Sequence, residues 1–204
     1  MILFNYSKIV STVNNRLQVL SISRALISTL GLAAMLHSSQ GMGQSTLSLA
    51  AVDSSVALFQ DYEVQIWMVD MSNRLSHYIK EPDLRREVLE LVYEEASRVH
   101  LPPELVMALI HTESAFDHFA LSSAGAQGLM QVMPFWKVAI GNKHDNLMDP
   151  ETNIRYGVTI LNHYLEKEHG NLTKALARYN GSVGKTWYPE RVYINLERHW
   201  LTIK

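Results

Sequence analysis

Cysteine is absent from the 204-residue chain. Its absence excludes disulfide bonds, thiolate metal sites and a cysteine nucleophile. A large charge of one sign is missing too, because 18 Lys and Arg residues face 20 Asp and Glu residues, for a formal net charge of -2. Nucleic-acid-binding proteins usually carry a strong basic field, so we expect no nucleic acid partner. Any chemistry must therefore use carboxylates, imidazoles, hydroxyls or a bound cofactor.

Acidic residues are missing from the N-terminal part of the chain. None precedes Asp53, whereas Lys8, Arg16 and Arg24 are positively charged. An apolar run follows at residues 25–36, and small and polar residues come after it. That order is typical of a secretory signal peptide, and the run is shorter than the roughly 20 residues that a membrane-spanning helix needs. The sequence predicts a signal peptide over residues 1–43 and a linker over residues 44–60.

A period-two alternation of polar and apolar residues is also lacking. Apolar residues instead recur at three- and four-residue steps, which is the spacing of amphipathic helices. Prolines and capping residues mark where these helices begin and end. The predicted helices run from about residue 61 to 79, from 84 to 99, from Pro103 onward, from Pro150 towards Gly170, from Asn171 to Tyr179 and from Pro189 onward. The sequence therefore predicts an all-α fold.

Glu113 is the residue that departs from this helical pattern. It follows Ile110 by three residues and Leu109 by four, so helical geometry puts its carboxylate on the apolar face. At a helix end it could instead reach solvent or pair with a cation. Downstream, Gly125 and Gly128 allow a ligand to approach the backbone closely.

Three short segments carry a family resemblance. They are Glu113-Ser114, the segment from Ser122 through Gly125-Ala126 to Gly128-Leu129-Met130-Gln131-Val132-Met133-Pro134, and Ala177-Arg178-Tyr179-Asn180-Gly181. In this order they resemble the three signatures of the soluble lytic transglycosylase catalytic domain, which has the goose-type lysozyme fold. The resemblance covers about residues 102–184. It implies a lysozyme-like (goose-type) helical catalytic domain with a substrate groove over residues 101–204. Residues 61–100 carry none of these motifs, and we expect them to form accessory helices packed on that domain.

The resemblance also implies a reaction. The family cleaves the β-1,4 bond between N-acetylmuramic acid and N-acetylglucosamine in peptidoglycan and forms a 1,6-anhydromuramoyl product. Glu113 matches the single carboxylate that acts first as general acid and then as base. The positions that match the family's substrate-binding and supporting residues are Ser114, Ser122, Gln131, Met133, Tyr179 and Asn180. For three of these, simpler roles remain open: Met133 in the core, Ser122 as a helix cap and Tyr179 in packing.

Other functions remain open at this stage. A hydrolytic muramidase would need a positioned water and usually a second acid, and Asp117 is poorly placed because it lies four residues from Glu113. A non-catalytic peptidoglycan-binding module would keep the groove without turnover. His111 and His118 do not have the spacing of a His-Glu-x-x-His motif, so we expect no metal and no cofactor. Arg178 departs from the family pattern, in which a small residue more often precedes the tyrosine.

The expected partners and location follow from the resemblance. Peptidoglycan glycan strands are the expected partner, and the sequence does not identify any cell-wall or secretion-machinery partner. Because the chain has no cysteine that could be acylated, we expect no stable membrane anchor. A periplasmic protein exported by its signal peptide is the expectation.

Overall fold

The computed structural model describes residues 62–201. The predicted signal peptide (1–43) and linker (44–60) lie outside these residues. The described chain forms seven α-helices, a final π-helical turn and no regular strand. The elements are α1 (62–75), α2 (Pro82–Arg98), α3 (Pro103–Ser114), α4 (Trp136–Ile140), α5 (Pro150–Lys167), α6 (Leu172–Tyr179), α7 (Trp187–Asn195) and the π-helical turn (Leu196–Trp200). The predicted all-α class is confirmed for this part of the chain.

Local sequence signals set several helix starts. The Asp149 carboxylate accepts a hydrogen bond from the Thr152 N–H (2.9 Å), and Pro150 occupies the first turn of α5. The Asn171 side chain accepts from the Lys174 N–H (3.1 Å) at the start of α6. Each cap satisfies a backbone donor that the helix itself leaves unpaired. Both predicted starts are confirmed.

Several helix boundaries differ from the sequence prediction by up to four residues, and two of them have a clear local cause. Helix α1 ends at residue 75 rather than near Ile79, because the chain tightens into a turn in which the Tyr78 N–H donates to the Leu75 carbonyl (2.9 Å). The last α-helix begins at Trp187, before Pro189, so that proline occupies the first turn instead of opening the helix. A proline is tolerated there because first-turn N–H groups have no partner within the helix.

Helix α3 is the central element. Its residues from Leu105 to Ile110 are all fully buried, which is typical of a helix that packs on every side. It packs against α2, α7 and the π-helical turn, while α5 packs against α2 and α6. The last turn of α3, which carries Glu113, therefore emerges from the middle of the hydrophobic core.

The helices of the predicted accessory region contribute to this same core. Met71 and Leu75 of α1 and Val88 and Leu89 of α2 are fully buried in the cluster that also contains α3. The division of the chain near residue 100 stays a prediction. Of the helices in residues 62–201, none is both long enough and apolar enough to cross a lipid bilayer.

Candidate active site

Glu113 lies in the last turn of α3. The helix ends one residue later because Ala115 and Phe116 take left-handed backbone angles (φ 49° and 68°). The Glu113 side chain is largely buried but not closed off from solvent. Burial raises the pKa of its carboxyl from 4.5 to about 7. A carboxyl with this pKa is present in both protonation states near neutral pH, as a group that gives and takes a proton requires.

Tyr188 is the direct partner of this carboxyl. Its hydroxyl donates a hydrogen bond to Glu113 Oε1, and its side chain is buried in the first turn of α7. Burial, together with the negative charge of Glu113, holds the pKa of the Tyr188 phenol well above its usual range, so it stays a donor. The Tyr188 hydrogen bond and, to a smaller extent, the positive charge of Arg191 lower the pKa of Glu113 and partly offset the effect of burial.

Tyr179 brings a second phenol to the same place from the end of α6. Its hydroxyl donates to the carbonyl oxygen of Met130 at 2.8 Å. Burial raises the pKa of Tyr179 well above its usual value, and the charge of Glu113 adds to this increase, so the two side chains are close. The structure thus brings together Glu113, Tyr179 and Tyr188 from three different helices.

The C-terminal segment holds the end of α3 through successive hydrogen bonds. Trp200 Nε1 donates to His111 Nδ1 (3.3 Å), and Asn195 Nδ2 donates to Thr112 Oγ1 (2.9 Å). Together with the Tyr188 bond to Glu113, three consecutive residues of α3 are each bonded to this segment. The position of the carboxyl is therefore fixed by residues far along the chain.

The segment that follows α3, residues 115–135, forms a tight loop beside the carboxyl. Ser114 Oγ donates to the Leu129 carbonyl (2.7 Å), which ties the loop to the end of α3. Gln131 has a left-handed backbone (φ 48°), and its Nε2 donates to the carbonyls of Ala120 and Gly128 (3.1 and 3.0 Å). Both predicted residues thus hold the loop in shape.

Asn153 of α5 fixes the other side of this loop. Its side chain is fully buried and makes three hydrogen bonds, accepting from the Met130 N–H (2.7 Å) and donating to the carbonyls of Gln127 (2.8 Å) and Leu147 (2.7 Å). The Met130 carbonyl also accepts a hydrogen bond from the Tyr179 hydroxyl, so Asn153 and Tyr179 both bind the backbone of Met130. A buried amide with all these bonds made rigidifies the backbone around it.

Gly128 makes this close approach possible. Its φ is +73°, and a Cβ atom there would lie 2.4 Å from both Asn153 Nδ2 and the Leu147 carbonyl oxygen. Any side chain at position 128 would therefore clash with the Asn153 amide and the Leu147 carbonyl. Gly128 thus makes room for the Asn153 side chain and the Leu147 carbonyl, and close approach of a ligand to this segment stays a prediction.

The remaining predicted site residues are placed as follows. Ser122 Oγ accepts from the Ala126 N–H (2.9 Å) and so stabilises a turn within the loop. Met133 is half-buried where the loop meets α4, and its carbonyl accepts from the Trp136 N–H (3.0 Å). Asn180 is exposed at the C-terminal end of α6, immediately after Tyr179. None of these local bonds reaches Glu113, and the role of the three residues towards a ligand stays a prediction.

The segment Lys185-Thr186-Trp187-Tyr188-Pro189 was predicted from its aromatic residues to wall one end of the groove, but neither the bond of Tyr188 to Glu113 nor the role of Asn153 was predicted. A signal existed for Tyr188, since Tyr188, Val192 and Leu196 recur at four-residue steps and all three are buried. Asn153 lies next to the buried Ile154 on α5, so its burial could be expected. The position of an amide beside an apolar stripe does not predict which loop that amide binds.

A second acid does not accompany Glu113 within the described residues. The charged side chain that shifts the pKa of Glu113 there is Arg191, a cation. Asp117 is exposed, and its Oδ1 accepts from the Phe119 N–H (2.9 Å) in a local turn beyond the end of α3. In this part of the chain, two phenols and one cation act on the Glu113 carboxyl.

The two histidines near Glu113 have other partners. Burial, aided by the nearby His199, lowers the pKa of His111 to about 4, and its neutral ring accepts from Trp200. The His118 ring lies against Phe119, with ring centroids 3.8 Å apart. Across residues 62–201, no group of three or more His, Asp or Glu side chains is placed to hold a metal ion.

Comparison with known proteins gives several relatives. The chain is 32% identical over 114 residues to a transglycosylase of Enterobacteria phage PRD1, covering 52% of this chain and 42% of the relative. It is 31% identical over 108 residues to the soluble lytic murein transglycosylase of Escherichia coli, covering 48% of this chain and 17% of the relative. Membrane-bound lytic murein transglycosylase C of Haemophilus influenzae is 30% identical over 141 residues, with 53% of this chain and 40% of the relative covered.

Solved structures give a weaker likeness. An inactive Glu-to-Gln variant of the lytic transglycosylase Slt from Pseudomonas aeruginosa matches with a TM-score of 0.42 and 27% identity, covering 52% of this chain and 20% of that chain. The 70 kDa soluble lytic transglycosylase from Escherichia coli matches with a TM-score of 0.41 and 29% identity, covering 53% and 18%.

The chain spans less than half the length of each of these relatives. The family model described as the transglycosylase SLT domain matches residues 90–196, which is more than half of the chain and includes Glu113, Tyr179 and Tyr188. The predicted family resemblance is thereby confirmed. This protein belongs to the transglycosylase SLT domain family.

Proposed function

We propose that this protein is a peptidoglycan lytic transglycosylase. It cleaves the β-1,4 bond between N-acetylmuramic acid and N-acetylglucosamine and leaves a 1,6-anhydromuramoyl end. The observation that carries the proposal is a single carboxyl, Glu113, whose pKa burial raises to about 7 at the end of a buried helix. Membership of the SLT domain family and the lytic murein transglycosylases among the relatives support it.

The reaction takes place in two proton transfers through Glu113. In the first, the carboxylic acid gives its proton to the glycosidic oxygen as the bond from that oxygen to muramic acid C1 breaks. In the second, the C6 hydroxyl of the same muramic acid bonds to C1, and its proton returns to the Glu113 carboxylate. No water is consumed, and the acid is restored for the next cycle. General acid and base catalysis of this kind contributes about 10²–10⁴ in rate.

One carboxyl is sufficient because the nucleophile belongs to the substrate. Hydrolysing glycosidases usually flank the sugar with two carboxyl groups, one of which activates water or attacks directly. Beside Glu113 the structure has phenols and a cation instead. An internal C6 hydroxyl removes the need for the missing acid.

Tyr188 orients the acid for this work. Its hydroxyl donates to Oε1, so the catalytic proton is carried by Oε2, the oxygen that remains for the substrate. The same bond stabilises the carboxylate formed after the first step. Tyr188 is therefore proposed as a positioning residue that keeps one oxygen of Glu113 available in both steps.

The sugars are proposed to bind beside the loop of residues 115–135. We assign Ser114 and Gln131 to holding the loop, in line with their bonds to its carbonyls. Ser122, Met133 and Asn180 are proposed to line the groove with Tyr179. Residues 101–204 are the proposed catalytic domain and residues 61–100 its accessory helices. A periplasmic location, reached through the signal peptide at residues 1–43, is part of the proposal because peptidoglycan lies outside the cytoplasm.

Digestion of purified sacculi tests the proposal. Wild-type protein is expected to release muropeptides with anhydro ends, and Glu113→Gln is expected to lower that release by about 100-fold or more. Glu166→Gln, an exposed glutamate of α5, is the matched control and should remain fully active. Mass spectrometry of the products decides the reaction, because hydrolysis leaves reducing ends that are heavier by one water.

Two results would contradict the proposal. Reducing ends in place of anhydro ends would identify a hydrolytic muramidase. Binding to sacculi without release of any soluble product would identify a non-catalytic binding module.

A further inference from the structure

A cavity of about 430 Å³ lies between the end of α1 and the π-helical turn. Its volume is within the range of about 300–1,000 Å³ that is usual for pockets that bind small ligands. Neither Glu113 nor the two tyrosines beside it line the cavity, and among the described residues that do line it there is no Asp or Glu. The cavity is therefore separate from the candidate active site. The residues that line it are Arg74, His77, Tyr78, Arg198, His199 and Trp200.

The π-helical turn forms one wall of the cavity. Its wide backbone spacing is closed by the Leu201 N–H, which donates to the Leu196 carbonyl five residues earlier (2.8 Å). Three consecutive residues of this turn, 198–200, all line the cavity. Single π-helical turns are rare and often occur at functional sites. The unusual backbone therefore coincides with the segment that shapes the cavity.

Arg74 joins this wall to α1. Its Nε and Nη2 donate to the two carboxylate oxygens of Asp70 (2.9 and 2.8 Å). Its Nη1 donates to the backbone carbonyls of His199 (2.9 Å) and Leu201 (3.3 Å). Because these bonds hold the guanidinium from two sides, Arg74 is a fixed part of the wall, and Arg198 is the second cation of the lining.

Three further side chains bring hydrogen-bond donors to the cavity. The His77 and His199 rings are exposed, and the Tyr78 side chain is half-buried. Within residues 62–201 none of these three side chains makes a hydrogen bond to another residue, since only the backbone carbonyls of the two histidines accept one. Burial raises the pKa of the Tyr78 phenol, so its hydroxyl stays a donor. Each imidazole carries at least one N–H. These donors are available to a ligand.

Aromatic packing holds two of these donors in place behind the end of α3. The Tyr78 ring lies against the rings of His111 and Phe116, with centroids 4.8 and 5.3 Å apart. The His199 ring lies 4.8 Å from the His111 ring on the same cluster. Side chains packed in this way need little reordering when a ligand binds.

We propose that this cavity binds a phosphate group carried by a small ligand. A phosphate group has three acceptor oxygens that point in different directions, so it can accept from donors on separate elements, whereas a carboxylate has two oxygens in one plane. Its oxygens accept from the guanidinium of Arg198, the hydroxyl of Tyr78 and the ring N–H groups of His77 and His199. The rest of the ligand fills the remaining volume of the cavity. This inference does not rest on the proposed function.

Nuclear magnetic resonance of the full chain tests the binding and locates it. The indole N–H of Trp200 donates to His111 Nδ1 (3.3 Å) beside the cavity, so its resonance reports on this site, whereas that of Trp136 on α4 is the internal control. The probes are inorganic phosphate and glycerol 3-phosphate, and acetate is the chemical control. Ionic strength is kept constant so that the screening of surface charges does not change.

Two variants remove single donors from the cavity. Tyr78→Phe keeps the packed ring and removes the hydroxyl, and its matched control is Tyr62→Phe, an exposed tyrosine at the start of the same helix. Arg198→Ala removes the exposed cation, and its control is Arg86→Ala, an exposed arginine of α2 outside the cavity. Because a hydrogen bond to a charged group contributes about tenfold or more to an equilibrium constant, each cavity variant should bind glycerol 3-phosphate about tenfold more weakly.

We expect a saturable shift of the Trp200 resonance with both phosphate probes, stronger binding of glycerol 3-phosphate, and wild-type binding by both control variants. Absence of a saturable shift, equal shifts of the Trp136 resonance, or binding of acetate as tight as that of phosphate would overturn the proposal. Wild-type affinity of both cavity variants would do the same. Weaker binding of glycerol 3-phosphate than of inorganic phosphate would overturn the assignment to a larger ligand. Glu113→Gln should bind the probes as the wild type does, so failure of the lytic reaction leaves this test intact.

Discussion

The hydroxyl of Tyr188 donates a hydrogen bond to Oε1 of Glu113 and so joins the first turn of α7 to the last turn of α3. The two residues have opposite effects on the acid. Burial at the end of α3 raises the pKa of Glu113, whereas the Tyr188 bond lowers it because it favours the carboxylate. The pKa of about 7 is the result of both effects. A general acid is most efficient when its pKa lies near the pH at which the reaction runs, and this value is close to neutral pH.

Tyr188→Phe is expected to raise the pKa of Glu113 above its value of about 7. The variant removes the donor that stabilises the carboxylate but keeps the ring that buries it. Since the first step needs the protonated acid, the alkaline limb of the pH–rate profile should move to higher pH while the rate at the optimum falls. The measurement is anhydro-muropeptide release as a function of pH.

Tyr193→Phe is the control for this experiment. Tyr193 is also a buried tyrosine of α7, and its hydroxyl lies 3.1 Å from Thr173 Oγ1. It should leave the alkaline limb unchanged. A profile for Tyr188→Phe that coincides with that of Tyr193→Phe would show that Tyr188 does not act on the acid.

Glu113→Gln is expected to stabilise the protein at alkaline pH. The pKa of Glu113 rises from 4.5 to about 7 on folding, so the stability associated with this group is fully present below pH 4.5 and is lost as pH rises through about 7. Replacing it with a neutral amide removes that loss, which amounts to up to about 3 kcal/mol. Urea unfolding of both proteins between pH 4 and 9 should give equal stabilities at the acidic end and a more stable variant at the alkaline end. A constant difference at all pH values would contradict the raised pKa.

Asn153→Ala is expected to destabilise the fold by about 3 kcal/mol or more, because it leaves buried backbone groups of Gln127, Met130 and Leu147 without their partner. Asn162→Ala on the same helix removes an exposed bond to Glu166 and should cost well under 1 kcal/mol. Chemical denaturation compares the two. Similar losses would mean that Asn153 does not hold the loop.

Gly128→Ala and Gly170→Ala form a matched pair. Both glycines have positive φ (+73° and +81°), so both variants carry the backbone penalty of about 1 kcal/mol. At Gly128 the new Cβ would also lie 2.4 Å from Asn153 Nδ2 and the Leu147 carbonyl, whereas at Gly170 nothing lies within 4 Å. We expect Gly128→Ala to lose clearly more thermal stability than Gly170→Ala and to lose activity with it. Equal changes in melting temperature would show that the loop can move away from the helix.

The elements that the sequence predicted well depend on short-range signals. The caps at Asp149 and Asn171 act within one helical turn, so spacing alone located the starts of α5 and α6. The start of α7 was misplaced because Pro189 is compatible with any position in the first turn. Glu113 was found because its distance from Leu109 and Ile110 places it on the inner face of a helix.

Sequence alone is therefore sufficient to predict the helical class, the family and the candidate acid, because each depends on local periodicity or on contiguous motifs. Tertiary structure alone decided the environment of that acid. Tyr188 lies 75 residues from Glu113 along the chain, and Asn153 lies 23 residues from Met130. Neither hydrogen bond can therefore be predicted from the spacing of neighbouring residues. The raised pKa has the same origin, because burial of a carboxyl is a property of all the helices that pack around it.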